Sequence, residues 1–303
     1  MRRWLILLAA LPRLAGPAFG WGCEGHQTIA LIARAHLTPA ASAAVDRLLR
    51  ENPIDPALNR FCKDRPNDLM ADAATWADDV KNTEKNGDAH YIDIPLAISS
   101  GDAMNWCGHD CIVSATEQYL AILRDSRQPA AERAKALRYV IHFLGDLTQP
   151  LHDSDNHDQG GNCTGIRFFG EDRLQNLHGI WDYGLIEHDL AEKKETQSQY
   201  AAAIDRDFAK TDGSSKTDIE AWVWEGHMLA ATVVYADLKP PIPVASPGAG
   251  VADKAACDAE RDSVEALHIS IGAEYAAQAR PVIREQLARA GYRLAGVLNQ
   301  IVK

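Results

Sequence analysis

Two stretches of this 303-residue chain set an imidazole and a carboxylate four residues apart: His142-Phe143-Leu144-Gly145-Asp146 and His178-Gly179-Ile180-Trp181-Asp182. On an α-helix, positions i and i+4 share a face, so each pair can aim a nitrogen and an oxygen at one ion. Imidazole with carboxylate is the ligand set of catalytic zinc, whereas structural zinc favours thiolate. His152 follows six residues after Asp146, beyond the helix-ending Pro150, and supplies a further imidazole. A single pair of this kind is usually a solvated surface pair. These two are flanked by Phe143, Leu144, Leu147, Ile180 and Trp181, so burial is expected, and buried carboxylates need a partner. No Ser-His or Cys-His arrangement competes as a nucleophile.

The elements that must position these residues read as helices. Apolar residues recur at helical spacing over Thr28–His36, Ile112–Leu123 and Glu132–Leu147. Thr38-Pro39 reads as an N-cap followed by proline at the first helical position, opening a helix to about Arg50. Further helices are expected over 176–190, 217–236 and 259–301. Strand-like alternation is scarce, with Ile166–Phe169 the best candidate for a short hairpin. The proline- and glycine-rich run from Lys239 to Asp253 and the Asp/Asn/Gly/His-rich run from His152 to Gly165 read as loops. The expected fold is all-α, a multi-helix single domain spanning 21–303, with at most a short β-hairpin.

The first twenty residues stand apart. Arg2 and Arg3 precede an apolar run from Trp4 to Leu11, and Ala18-Phe19-Gly20 is a small-x-small cleavage site. This is the three-part pattern of a secretory signal peptide, too short in its apolar part to span a bilayer. Cleavage after Gly20, by the general secretory route, makes Trp21 the new amino terminus and places the protein outside the cell or in the periplasm. The chain carries 31 Lys+Arg against 42 Asp+Glu, a net charge of −11. Removing Arg2, Arg3 and Arg13 leaves 28 against 42, or −14. Such a chain repels polyanions, which argues against a simple nucleic-acid-binding module; attraction to a phosphate ester must come from bound cations. Cys23, Cys62, Cys107, Cys111, Cys163 and Cys257 are an even set in an oxidising compartment. Cys107–Cys111 closes a short turn and is the easiest pair; Cys23–Cys163 and Cys62–Cys257 are the expected remainder.

The run His142-Phe143-Leu144-Gly145-Asp146-Leu147-Thr148-Gln149-Pro150-Leu151-His152 resembles the signature of the S1/P1 nuclease family, zinc-dependent nucleases and 3′-nucleotidases related to zinc phospholipases C. Other pieces fall in the family's order: Trp21-Gly22-x-x-Gly25-His26, Trp76-Ala77-Asp78, His90-Tyr91-Ile92-Asp93, Asp158-x-Gly160-Gly161-Asn162 and Asn176-Leu177-His178-x-x-Trp181-Asp182. The resemblance implies three zinc ions. Asp78, His90, His142 and Asp146 would hold one, and His152, His178 and Asp182 a second. The third would take the amine and carbonyl of Trp21, with His26 and a bridging Asp146. An α-amino group, with a pKa of about 8, deprotonates readily beside a cation, and a mid-chain amide offers no lone pair. Signal cleavage would thus create a ligand.

The resemblance also implies that Lys81 contacts phosphate, Tyr91 stacks on a base, Asp93 bonds the base edge and Asn162 shapes the site. Asp78, Lys81 and Asp146 become the catalytic set, acting on single-stranded DNA, RNA and nucleotides to release 5′-phosphates. Stacking needs an unpaired base, which accounts for a single-strand preference. No protein partner or membrane is implied, and a monomer is expected. His36, His109, His157, His188, His227 and His268 match no motif and read as structural or solvated. Two rivals share the ligands: a zinc phospholipase C acting on lipid head groups, and a non-catalytic periplasmic zinc-binding protein.

Overall fold

The computed structural model describes residues 21–58, 62, 66–209 and 217–302. The expected signal peptide, residues 1–20, lies outside the described residues. Helices dominate the remainder: α1 (Cys23–Ala35), α2 (Pro39–Glu51), α3 (Leu69–Ala73), α4 (Trp76–Glu84), α5 (Ile112–Arg124) and α6 (Ala130–Asp146) in the first half. The second half holds α7 (Leu177–Gly179), α8 (Leu185–Lys193), α9 (Gln197–Phe208), α10 (Ile219–Leu229), α11 (Lys254–Ala266) and α12 (Ala273–Ile301). None of the described helices is long and apolar enough to cross a membrane.

Local chemistry explains several boundaries. Thr38 Oγ1 accepts from the Ala41 amide at 3.2 Å with Pro39 at the first position, so α2 opens where its sequence predicts. Asp68 caps α3 through the Met70 and Ala71 amides, and a Thr196/Gln199 capping box opens α9. The helices α3, α4 and α9 are not among those expected from the sequence; α3 and α4 are short, at five and nine residues. The helix α6 is the centre of the fold. From Ala136 to Asp146 every side chain is buried, and α6 packs against α5, α4, α2, α12 and α1. Its position buries His142 and Asp146 together with Tyr139, Phe143 and Leu144.

Three expectations are corrected. The run 259–301 is not one helix: His268 takes a left-handed conformation (φ 52°), and Ser270–Ile271 form a strand before α12 begins. The hairpin of β1 (Gly165–Phe168) and β2 (Leu174–Asn176) therefore gains this third strand, β3, in parallel against β1, in the order β2-β1-β3. Buried Ile269 and Ile271 anchor it. The disulfides are Cys107–Cys111, as expected, with Cys23–Cys62 and Cys163–Cys257 in place of the crossed pairs. The physical reason is packing: α1, which begins at Cys23, lies on α3, while α11, which carries Cys257, lies on β1, just after Cys163.

Candidate metal centre

The expected side-chain ligands converge from seven elements. His26 comes from α1, Asp78 from α4, His90 from the end of a 3₁₀ turn (Gly87–His90), and His142 and Asp146 from α6. His152 ends a second 3₁₀ turn (Pro150–His152), and His178 lies in α7. Asp182 lies not on a regular α-helix but in a π-helical turn, Ile180–Gly184, that joins α7 to α8. Such turns recur at functional sites. The intended pairing survives, with His178 Nε2 3.2 Å from Asp182 Oδ2 and His142 Nε2 3.1 Å from Asp146 Oδ2.

Three groups result whose ligand atoms lie within 4.8 Å of one another: His26, His142 and Asp146; Asp78, His90 and His142; His152, His178 and Asp182. All are buried. Asp146 joins them: its Oδ2 is 3.1 Å from His90 Nδ1 and from His142 Nε2, and its Oδ1 is 3.2 Å from His26 Nε2. His26 also stacks on His142, with ring centroids 4.0 Å apart. Asp78, not the half-buried Asp79, faces His90 and His142, at 3.8 and 3.9 Å. Trp21 is fully buried. Its indole donates to Thr148 Oγ1 at 3.1 Å, and the Gly22 amide donates to the Asp182 carbonyl at 2.8 Å. The chain at 21–22 therefore runs between the segment after Asp146 and the π turn.

The rings are fixed from behind. His142, His152 and His178 each donate from Nδ1 to a backbone carbonyl, of Ala74, His90 and Gly160 respectively, at 2.7–2.8 Å. This sets the tautomer and turns Nε2 inward, as in histidines that bind metals. Gly160 is required: its φ is +58°, and a Cβ there would stand 2.5 Å from the Leu151 carbonyl. Gln149 donates to Asp182 and holds that carboxylate in turn.

The donor set fits a divalent cation. His26 Nδ1, Asp78 Oδ2 and His90 Nε2 are buried without a hydrogen-bond partner, and His26 Nε2 has only Asp146 Oδ1 opposite it, which is costly unless something else satisfies them. His142 Nε2 and His90 Nδ1 are 3.1 Å apart, and His178 Nε2 and His152 Nε2 are 3.2 Å apart. Two facing lone pairs at that distance need a cation or proton between them. Charge is polarised accordingly. Burial opposes charge on His142, yet Asp146 and Asp78 hold its pKa up at about 9. Burial, with His178 beside it, pushes His152 down to about 3. Burial raises Asp182 to about 6 despite the pull of His178.

Next to this centre is a cavity of about 490 Å³. Tyr91 and Asp93, expected to face a base, line it. Its other walls include Trp106, the disulfide-closed turn Gly108–Cys111, Asp155 and the loop 245–251. His109 and His157, expected to be bystanders, also line it, and His157 donates to the Gly250 carbonyl at 2.7 Å. Burial together with Asp155 and Asp88 raises Asp93 to about 7. Lys81 is buried, with Nζ 3.2 Å from Asp78 Oδ1. Asn162 is not among the lining residues; its amide bonds the Gln159 carbonyl and Asn176, the N-cap residue of α7. Trp106, Asp155 and the 245–251 loop carry no motif, and only the density of Asp, Asn and Gly after His152 hinted at a built surface there.

A family profile described as S1/P1 Nuclease matches residues 21–303. The chain is 31% identical to "Nuclease S1" of Aspergillus oryzae over 99% of its own length and 98% of that protein's. It is 30% identical to "Endonuclease 2" of Arabidopsis thaliana (97% and 93%) and 27% identical to "Nuclease P1" of Penicillium citrinum (93% and 97%). The head-group lipase and ion-storage readings give way. With its motifs gathered at one buried centre and its length matched throughout, the chain belongs to the S1/P1 nuclease family and is a hydrolase of phosphodiester bonds in nucleic acid.

Proposed function

We propose that the enzyme is exported, begins after processing at Trp21, and cleaves single-stranded DNA and RNA with three bound zinc ions. It releases 5′-nucleotides and also removes phosphate from 3′-nucleotides. The observation that carries this reading is the set of buried, unpartnered donor atoms around Asp146. Asp78, His90, His142 and Asp146 would hold one zinc, and His152, His178 and Asp182 a second. The amine and carbonyl of Trp21, with His26 and Asp146, would hold the third. Bound there, zinc brings the pKa of water toward neutrality and offsets the charge that develops on phosphate.

The protein's own groups supply the rest. Asp146 directs its two oxygens at different imidazoles, so one carboxylate ties two ligand groups in register. Lys81 orients Asp78 and offers a positive charge to a phosphate oxygen. The Tyr91 ring stacks on an unpaired base of any identity, and the Asp93 carboxyl bonds the base edge. Asn162 stiffens the loop behind His178 through Asn176. Three disulfides suit an oxidising compartment outside the cytoplasm.

The test is an assay of single-stranded DNA, RNA, duplex DNA and a choline phospholipid, before and after chelation and zinc return. We expect turnover of both single strands, weak action on duplex, none on lipid, and loss on chelation reversed by zinc. Equal turnover of duplex and single strand, or activity indifferent to chelation, would overturn the reading.

A further inference from the structure

Two short irregular segments meet beside the centre. Residues 90–98 carry His90, Tyr91 and Asp93, and residues 152–155 carry His152 and Asp155. Few backbone bonds join them: Ile92 N to His152 O (2.8 Å), Asp155 N to Ile94 O (2.9 Å) and Leu96 N to Asp155 O (2.9 Å). A side chain from α10 spans the same junction. His227 is fully buried, with Nε2 2.6 Å from the Ile98 carbonyl and Nδ1 2.7 Å from Ser154 Oγ. A carbonyl only accepts, so Nε2 carries a proton toward Ile98, while Nδ1 faces both the Ser154 hydroxyl and, at 3.1 Å, the Asp153 carbonyl. Burial pushes the His227 pKa down, against the pull of the Ile98 and Asp153 carbonyls.

The approach is built into α10. A Cβ on Gly226 would stand 2.0 Å from Asp153 Oδ2, so glycine lets the helix seat against the residue that follows His152. Trp224 braces the His227 ring edge-on, with centroids 5.2 Å apart, and meets Trp106 of the cavity wall at 6.0 Å. We propose that His227 is a positioning residue that aligns the base-facing segment with the segment carrying the ligand His152. This rests on the roles given above to Tyr91, Asp93 and His152. Its effect should appear where a substrate uses both segments and vanish where it uses the metals alone.

The experiment compares zinc-loaded wild type, His227→Ala, His227→Gln and Ser154→Ala on a dinucleotide and on bis(4-nitrophenyl) phosphate, a diester without a base. A misplacement of around 1 Å is costly, so His227→Ala should lose about tenfold or more in kcat/KM on the dinucleotide, mainly through KM. The base-free diester should change by no more than about twofold, and His227→Gln, which keeps a donor and an acceptor, should recover most of the loss. If His227→Ala does not fold, Ser154→Ala, which loses one oxygen, gives the same selective loss at smaller size. Parallel loss on both substrates, or none on either, overturns the inference. A wild type that does not favour the dinucleotide removes the base-facing role of Tyr91 and Asp93 itself, and the inference with it.

Discussion

In the metal centre His142, His152 and His178 are held by backbone carbonyls from behind, and the carboxylates that meet them are enclosed. The adjoining cavity is walled instead by segments between helices: 91–95, the turn at 108–111 and the loop 245–251. The same residue type behaves oppositely in the two. Asp146 is buried more deeply than Asp93, yet the imidazoles around it hold its pKa well below the usual carboxylate range. Asp93 is raised to about 7 by burial first, and its neighbours Asp155 and Asp88 add to the rise where imidazoles would offset it. The expected ligands sit on helices, short helical turns and locked rings, whereas the cavity is left to loops and aromatic planes.

The largest expected effect falls on the rigid side. Asp146→Asn should cost on the order of 10³-fold in turnover on every substrate, with or without a base, as steady-state assays would show. Undiminished hydrolysis would dissolve the distinction between the two regions. On the cavity side, Tyr91→Ala should cost about ten- to a hundredfold in kcat/KM on oligonucleotides, the worth of one stacked base, and spare a base-free diester.

Asp93→Asn tests the electrostatic half of the contrast. A carboxyl whose folded pKa is raised disfavours its own ionisation in the fold. Stability therefore declines as pH rises from the unfolded value near 4 through about 7. The variant should melt a few degrees above wild type at pH 8 and match it at pH 4, read by thermal unfolding. A gain of equal size at both pH values would point to packing instead. Smallest of all, His36→Ala should leave activity within about twofold, since its half-exposed pairing with Asp205 involves no residue of either region and such pairs contribute little.

The helix faces of the centre were legible in sequence because period and residue type coincide there: His142 and Asp146, His178 and Asp182 announce themselves four residues apart. Asp78, His90, His26 and Trp21 were legible only through the family's motifs, since each is alone on its element. The cavity was half legible. Tyr91 and Asp93 follow a motif, but Trp106 and the 245–251 loop reach the site through contacts made far along the chain, which no local pattern encodes. His227, read as structural or solvated, is buried, and its partners Ile98 and Ser154, 129 and 73 residues away, are beyond any local pattern. The crossed disulfides show the limit from another side, because pairing follows helix docking and not spacing.

The central claim is that Trp21, once it carries a free amine, completes a third zinc site around Asp146. Zinc per chain, measured by elemental analysis on the protein beginning at Trp21 and on one that keeps Gly20, tests it most directly. The account predicts three zincs in the first and two firmly held in the second. Equal counts in both, or fewer than three in the protein that begins at Trp21, would contradict it.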